Sequence, residues 1–178
     1  ARAGRVPRRD RKSAGYGQRC CNGEGAGGLR IIHTQATNAR LQKAAERHLR
    51  RVMDHFGYAG VLTIEFFVQR GRLVANEMAP RVHNSGHWTI EGAVTSQFEN
   101  HLRAIMGLPL GETRAVGHCA MVNFIGAMPD RDRVLALPGA HHHDYGKVPR
   151  QGRKLGHCTI VARTAAERDR TLRRLLRL

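Results

Sequence analysis

Long apolar runs are missing from this 178-residue chain. None approaches the roughly 18 residues that a membrane-crossing helix needs, so no such span is expected. Arginines open the sequence without an apolar stretch behind them, which does not fit a secretory signal. A soluble, intracellular protein, cytoplasmic in location, is the expectation. Aromatic residues are scarce at 5%, leaving few platforms on which bases could stack. Acidic residues are also few, 14 against 30 Lys and Arg, for a formal net charge of +16. Yet only Lys12, Lys43, Lys147 and Lys154 are lysines, and the arginines are scattered through helices and tails. The charge is therefore a weak argument for a nucleic-acid partner. A site for a small phosphorylated substrate accounts for some of these cations.

Cysteine is sparse too: Cys20, Cys21, Cys119 and Cys158 form no C-x-x-C pair. Adjacent Cys20 and Cys21 suit a disulfide framework poorly. His118-Cys119 and His157-Cys158 invite a zinc reading. Neighbouring side chains on a strand point to opposite faces, so neither pair converges easily on one ion. Buried, reduced thiols are expected instead. No internal repeat is evident.

What remains is ordinary globular material, 41% hydrophobic and 25% charged, enough for one domain or two small ones. Residues 1–27 are Gly- and Arg-rich without periodicity and read as a poorly formed lead-in. Ile31 and Ile32 hint at a short strand. A helix is predicted from the N-cap Asn38 to about His55, with Leu41, Ala45, Leu49, Val52 and Phe56 packing one face on a core. The β-branched and aromatic run Val61 to Val68 reads as a buried strand, Gln69 to Arg72 as a hairpin turn, and Leu73 to Met78 as the returning strand. Pro80 stops it, and a polar, histidine-rich loop runs from Arg81 to Glu91. Ser96 with Glu99 predicts a capping box for a second helix ending at Gly107. Beyond a boundary at 109–114, strands are predicted at Val116–Ile125 and His157–Val161. Thr164 with Glu167 caps a final helix whose apolar stripe is Leu172, Leu175 and Leu176.

Glu65 and Glu77 carry the most information. If a three-residue loop closes around Gly71, position 65 faces position 77, with Cβ atoms about 5 Å apart. Two carboxylates so placed repel each other among apolar neighbours. A hard divalent cation such as Mg²⁺ resolves that, being held by one or two carboxylates plus substrate phosphates. From the hairpin alone, a solvent-facing or arginine-paired glutamate explains the pattern equally well, because a one-residue slip would separate the two. The next thirteen residues, Asn76 to Trp88, add amide, carboxylate, guanidinium and imidazoles. Arg81 could hold a planar oxyanion by paired hydrogen bonds, and Ser85-Gly86 permits close backbone approach. A polar surface loop is the plain alternative; Trp88 is expected to anchor the core.

The stretch N-E-M-A-P-R-V-H-N-S-G-H-W from Asn76 to Trp88 resembles the signature of the 5-(carboxyamino)imidazole ribonucleotide synthases, ATP-grasp enzymes of purine biosynthesis. Gly60 to Val68 is similar to that family's first metal-binding strand. The likeness continues through Ser96-Gln97-Phe98-Glu99 and Leu102-Arg103-Ala104, then Tyr145-Gly146-Lys147 and Gly152 to His157. It runs from about residue 28 to the end, and an ordered series of this length is far more specific than one short motif.

The resemblance implies a ligase that uses ATP, Mg²⁺ and bicarbonate to carboxylate the exocyclic amine of 5-aminoimidazole ribonucleotide through carboxyphosphate. It implies that Glu65 and Glu77 bind Mg²⁺, with Asn76 and Glu77 in the nucleotide site. Arg81 would steady bicarbonate or carboxyphosphate, while His83 and Asn84 lie near the reacting centre. Lys147, Arg150, Arg153 and Lys154 would bind the ribose phosphate, where most charge runs are only solvated turns. His141-His142-His143 is assigned no metal. A homodimer of the family's kind is implied.

The expected fold is mixed α/β. Residues 28–110 would form an ATP-grasp C-terminal lobe with an antiparallel sheet and helices, and 111–178 a small β-rich domain. Residues 1–27 match the family poorly, although its lid and nucleotide-binding lysines belong there. An incomplete fragment with weak or no catalysis is therefore expected. The alternatives are another ATP-grasp carboxylate–amine ligase, which would need a different C-terminal loop, and a non-catalytic basic remnant that binds nucleic acid.

Overall fold

The structure, a computed structural model, describes residues 39–178 together with the backbone of two short strands, β1 (Arg19–Cys21) and β2 (Ile31–His33). The expected N-cap Asn38 lies outside the described residues, as does the segment 1–27 read as a lead-in, apart from β1. Within that segment β1 does form, so it is not wholly without structure.

Helix α1 (Ala39–Phe56) leads to a hairpin of β3 (Thr63–Gln69) and β4 (Arg72–Ala79). The predicted core role of this unit holds only in part. No residue of α1 is buried. Phe56 is 69% exposed, and Phe67 and Val68 of β3 are exposed at 52% and 60%. The hairpin is a two-stranded sheet of its own, and among the described residues it has one helix to pack on and no second layer.

The loop predicted for 81–91 is more ordered than its polarity suggested. Asn84–Gly86 is a 3-10 turn, and Thr89–Gly92 is a one-turn helix, α2. Helix α3 (Gln97–Ile105) starts where expected: the Ser96 side chain accepts from the Glu99 amide. Glu99 itself turns to Arg103 one turn on, at 2.5 Å, in place of completing the box.

The main sheet is five-stranded and antiparallel, in the order β1-β2-β5-β7-β6, with β5 at His118–Ile125, β6 at Ala140–Asp144 and β7 at Lys154–Ala162. Strand β5 is buried on both faces, which is why it reads as a continuous apolar run. Ala120, Val122 and Phe124 pack with Cys158 and Ile160 against α4 (Arg131–Leu135) and α5 (Ala165–Leu175). Cys119 and Met121, one residue out of phase, pack on Trp88 and Ala93. Trp88, 2% exposed, is the expected anchor, and it holds the segment around α2 on the sheet. Helix α4 and strand β6 escaped prediction. Five residues are too few for a helical period, and three consecutive histidines show no alternation of apolar and polar types.

At α5 both hydrogen bonds of the Thr164–Glu167 capping box are present. Leu172 and Leu175 are buried, but Leu176 caps the helix and is 38% exposed, so it leaves the stripe. Cys119 and Cys158 are buried thiols in no disulfide, and burial pushes the Cys158 thiol up to about 12.

Candidate functional site

The hairpin turn holds two residues, not three. Gln69 pairs with Arg72 across Arg70 and Gly71, whose φ values of 50° and 72° are those of a type I′ turn. A regular ladder from that turn would set Asn76 against Glu65. The register shifts by one between Glu65 and Phe66, so the ladder instead pairs Glu65 with Glu77 and Phe66 with Ala75. Asn76 is thus the extra residue of a β-bulge, a device that re-aims side chains. It donates to Glu65 Oε2 at 3.4 Å.

His83 closes this group from the next segment. Its Nδ1 is 3.8 Å from Glu65 and its Nε2 is 3.7 Å from Glu77. Donor atoms of the three side chains lie within 4.8 Å of one another. Among the described residues this is the one such group of potential metal ligands. His83 caps the 3-10 turn: its Nδ1 accepts from the Ser85 amide at 3.2 Å and pairs with the Ser85 hydroxyl at 2.8 Å. The ring proton therefore belongs on Nε2, facing Glu77.

Buried Gln97 fixes the backbone of His83 from α3. Its Oε1 accepts from the His83 amide at 3.0 Å, and its Nε2 donates to the His83 carbonyl at 2.8 Å. The same Nε2 lies 2.8 Å from His87 Nδ1. Gly86 leaves the room for this: a Cβ there would stand 2.5 Å from Gln97 Oε1.

Arg81 is exposed, its guanidinium donating to the neighbouring Val82 carbonyl at 3.0 Å, so it is folded back on its own loop. Asn84 points the other way and accepts through Oδ1 from Lys154 Nζ. That contact joins the loop after the hairpin to the second predicted cluster. Lys147 and Lys154 both approach Tyr145, their Nζ atoms 5.2 and 5.9 Å from its ring centroid. Arg150 and Arg153 are exposed at the tip of the same loop, closed by the Arg153 amide donating to the Arg150 carbonyl at 2.9 Å.

Between the two clusters lies a layer of histidines, among them His143 and His157, which the sequence reading weighed only as metal ligands and never as partners of each other. The register of β6 on β7 sets His143 against His157, and their rings stack with centroids 4.2 Å apart. His143 Nε2 lies 2.6 Å from Glu91 of α2, and His157 Nδ1 lies 2.7 Å from the Tyr145 hydroxyl. Burial, reinforced by the His143 ring beside it, holds His157 down at about 3. Burial, with Lys154 nearby, holds His87 at about 4. Burial also lifts the Tyr145 phenol to about 12. The available signal was position: His87, Tyr145 and His157 lie inside the motifs that carry the resemblance, but the pairing of His143 with His157 depends on unpredicted β6.

Two carboxylates on one face supply the hard oxygen donors that Mg²⁺ prefers, and their mutual repulsion is what such an ion would relieve. The donor set fits that ion, with His83 beside it as a nitrogen of softer character.

Two family models match the chain in succession. The model of the ATP-grasp domain matches residues 25–98, and that of the phosphoribosylaminoimidazole carboxylase C-terminal domain matches 119–171. The chain is 54% identical to the N5-carboxyaminoimidazole ribonucleotide synthase of Pseudomonas aeruginosa over 133 residues, 75% of this chain and 37% of that protein. Against the Escherichia coli synthase it is 45% identical over 141 residues, 79% of this chain and 39% of the relative. The crystal structure of the Thermus thermophilus synthetase superposes with a TM-score of 0.79 at 53% identity, covering 84% of this chain and 42% of its own. The Aspergillus clavatus synthase, in complex with ADP and 5-aminoimidazole ribonucleotide, gives 0.76 at 29% identity, covering 90% and 45%. This chain thus spans well under half the length of the curated relatives it matches.

Proposed function

We propose, from the premise that the chain belongs with the N5-carboxyaminoimidazole ribonucleotide synthases over the part it spans, that it carries the metal–nucleotide hairpin and the ribonucleotide-phosphate cluster of that ATP-grasp ligase. The reaction is the ATP- and bicarbonate-dependent carboxylation of 5-aminoimidazole ribonucleotide on its exocyclic amine. Bicarbonate oxygen takes the terminal phosphoryl group of ATP, giving carboxyphosphate and ADP. The amine then attacks the carboxy carbon, and phosphate leaves.

The observation that carries this reading is the facing of Glu65 and Glu77 beneath His83. Glu65 and Glu77 would hold Mg²⁺, which neutralises charge on the transferring phosphoryl group. Asn76 orients Glu65 by its amide. His83, with its proton directed at Glu77, stands beside the carboxylates where a bicarbonate oxygen would be received. Arg81 has the fork geometry to grip that planar anion once it swings off Val82. Asn84 and Lys154 bridge towards Lys147, Arg150 and Arg153, a set of cations suited to a phosphate monoester. The ligands of the Aspergillus clavatus complex are those this reading requires. Cytoplasmic residence and a homodimer complete it, on the strength of the family resemblance.

Titration of the chain with ADP, with and without Mg²⁺ and again with Glu77→Gln, tests the reading. Binding should require Mg²⁺ and weaken about tenfold or more in the variant. Binding indifferent to the ion, or to the substitution, overturns it.

A further inference from the structure

Lys147 and Lys154 stand at opposite ends of the loop that joins β6 to β7, seven residues apart in sequence. Their ammonium groups nevertheless converge on one ring. Tyr145 has Lys147 Nζ 5.2 Å and Lys154 Nζ 5.9 Å from its centroid, both within the range of a cation–π contact. Two like charges drawn to one ring repel each other, and an anion between them would relieve that.

The far end of that ring is fixed. The Tyr145 hydroxyl lies 2.7 Å from Nδ1 of His157, which is 1% exposed. His157 stacks on His143 with the ring planes 8° apart, and His143 Nε2 is held by Glu91 of α2 at 2.6 Å. An unbroken chain of packed and hydrogen-bonded side chains therefore runs from the segment that carries Asn84 to the lysine pair. Its hydroxyl end is the protonated partner, since burial lifts the phenol, and the neutral imidazole accepts.

We infer that Tyr145 is a positioning residue: a ring anchored through His157, His143 and Glu91 that gathers Lys147 and Lys154 into a pair preset for a phosphate monoester. The identity of that monoester as the ribonucleotide's phosphate rests on the function proposed above. Lys154 starts β7 and is also held by Asn84, whereas Lys147 is exposed on the loop, so a ring that draws Lys147 towards Lys154 limits what must be ordered when the anion arrives. Tyr145 itself touches no reacting atom in this role. Its effect is on binding of the phosphate and not on the metal hairpin.

Ribose 5-phosphate is the probe, titrated into the full chain beside unphosphorylated ribose. The variants are Tyr145→Phe, which keeps the ring and drops the anchor, and Tyr145→Leu, which drops both. Affinity for ribose 5-phosphate should fall about threefold in the first and about tenfold in the second. Mg²⁺-dependent ADP binding should not change, which separates positioning from general loosening. Lysine-selective ¹³C labelling gives a readout without ligand. Methylene protons of Lys147 and Lys154 should be shifted upfield by the ring in the wild type and in Tyr145→Phe, and released in Tyr145→Leu. If Tyr145→Leu fails to fold, the Tyr145→Phe affinity decides alone. Unshifted lysine signals in the wild type overturn the inference, as do variants that bind ribose 5-phosphate as tightly as the wild type. Shifted signals with no ribose 5-phosphate binding support the ring's role and overturn the phosphate assignment instead.

Discussion

Glu65 stands directly across the hairpin from Glu77, and the pairing depends on Asn76, the residue that the bulge sets aside. Because Asn76 and Glu77 together oppose Glu65, the amide and both carboxylates come to one place on a single pair of strands. Such a cluster is an electrostatic burden in the absence of a cation. Glu77→Gln should therefore leave the metal-free chain as stable as the wild type or slightly more so, by a few tenths of a kcal/mol at these half-exposed positions. The same variant should lose the stabilisation that Mg²⁺ and ADP give the wild type in thermal unfolding. A fall in stability without ligand would mean that Glu77 serves the fold and not the ion.

The turn that starts this register is open to improvement. Arg70 adopts φ 50°, a left-handed conformation that a β-carbon disfavours, ahead of Gly71 at 72°. Asn-Gly is the preferred pair for such a turn. Arg70→Asn should raise stability by about 0.5–1 kcal/mol, read as a higher urea midpoint at unchanged slope. It lies at the tip of the hairpin, so Mg²⁺-dependent ADP binding should not move.

The partners Glu65 and Glu77 were legible in the sequence, but the route to them was not. A three-residue loop and a two-residue turn plus a bulge give the same pairing, and nothing in Leu73 to Met78 distinguishes the two. The segments that read correctly, β5, β7, α3 and α5, are those whose apolar spacing or capping residues act locally. The histidine layer was illegible for the opposite reason. His143 and His157, fourteen residues apart in sequence, meet through the pairing of two strands, one of them made of residues with no strand pattern. The exposure of α1 and the hairpin was hidden as well, since their periodicity specifies an apolar face and does not say what covers it.

Gly86 is required by its surroundings. In Gly86→Ala the new methyl carbon would meet Gln97 Oε1 at 2.5 Å and Cδ at 2.7 Å. Gln97 has no free direction to yield, since it is bonded to the His83 amide and carbonyl and lies against His87. Relief must come from breaking one of those bonds or shifting the 3-10 turn. The expected loss is about 2–3 kcal/mol, and His83 should move with it, weakening Mg²⁺-dependent ADP binding as well. Full retention of both would show that Gln97 does not hold the loop.

His157 makes stability depend on pH in a direction that follows from its burial. Its pKa is held at about 3 in the folded chain, against 6.5 for an ordinary histidine. The unfolded chain therefore binds a proton that the folded chain refuses as pH falls below about 6.5. The stabilisation is complete above that value and is withdrawn progressively towards pH 3, at up to about 1.4 kcal/mol per unit. His87, held at about 4 chiefly by burial, adds to the loss with the same sign. The window to read is therefore pH 6.5 to 4.5. Urea midpoints across that window should drop steeply in the wild type. His157→Gln can still accept from the Tyr145 hydroxyl but has no proton to gain, so its profile should be shallower by about one proton. Equal slopes in the two proteins would mean that His157 takes up its proton while folded, which a buried ring stacked on His143 cannot do without opening the layer that joins α2 to the sheet.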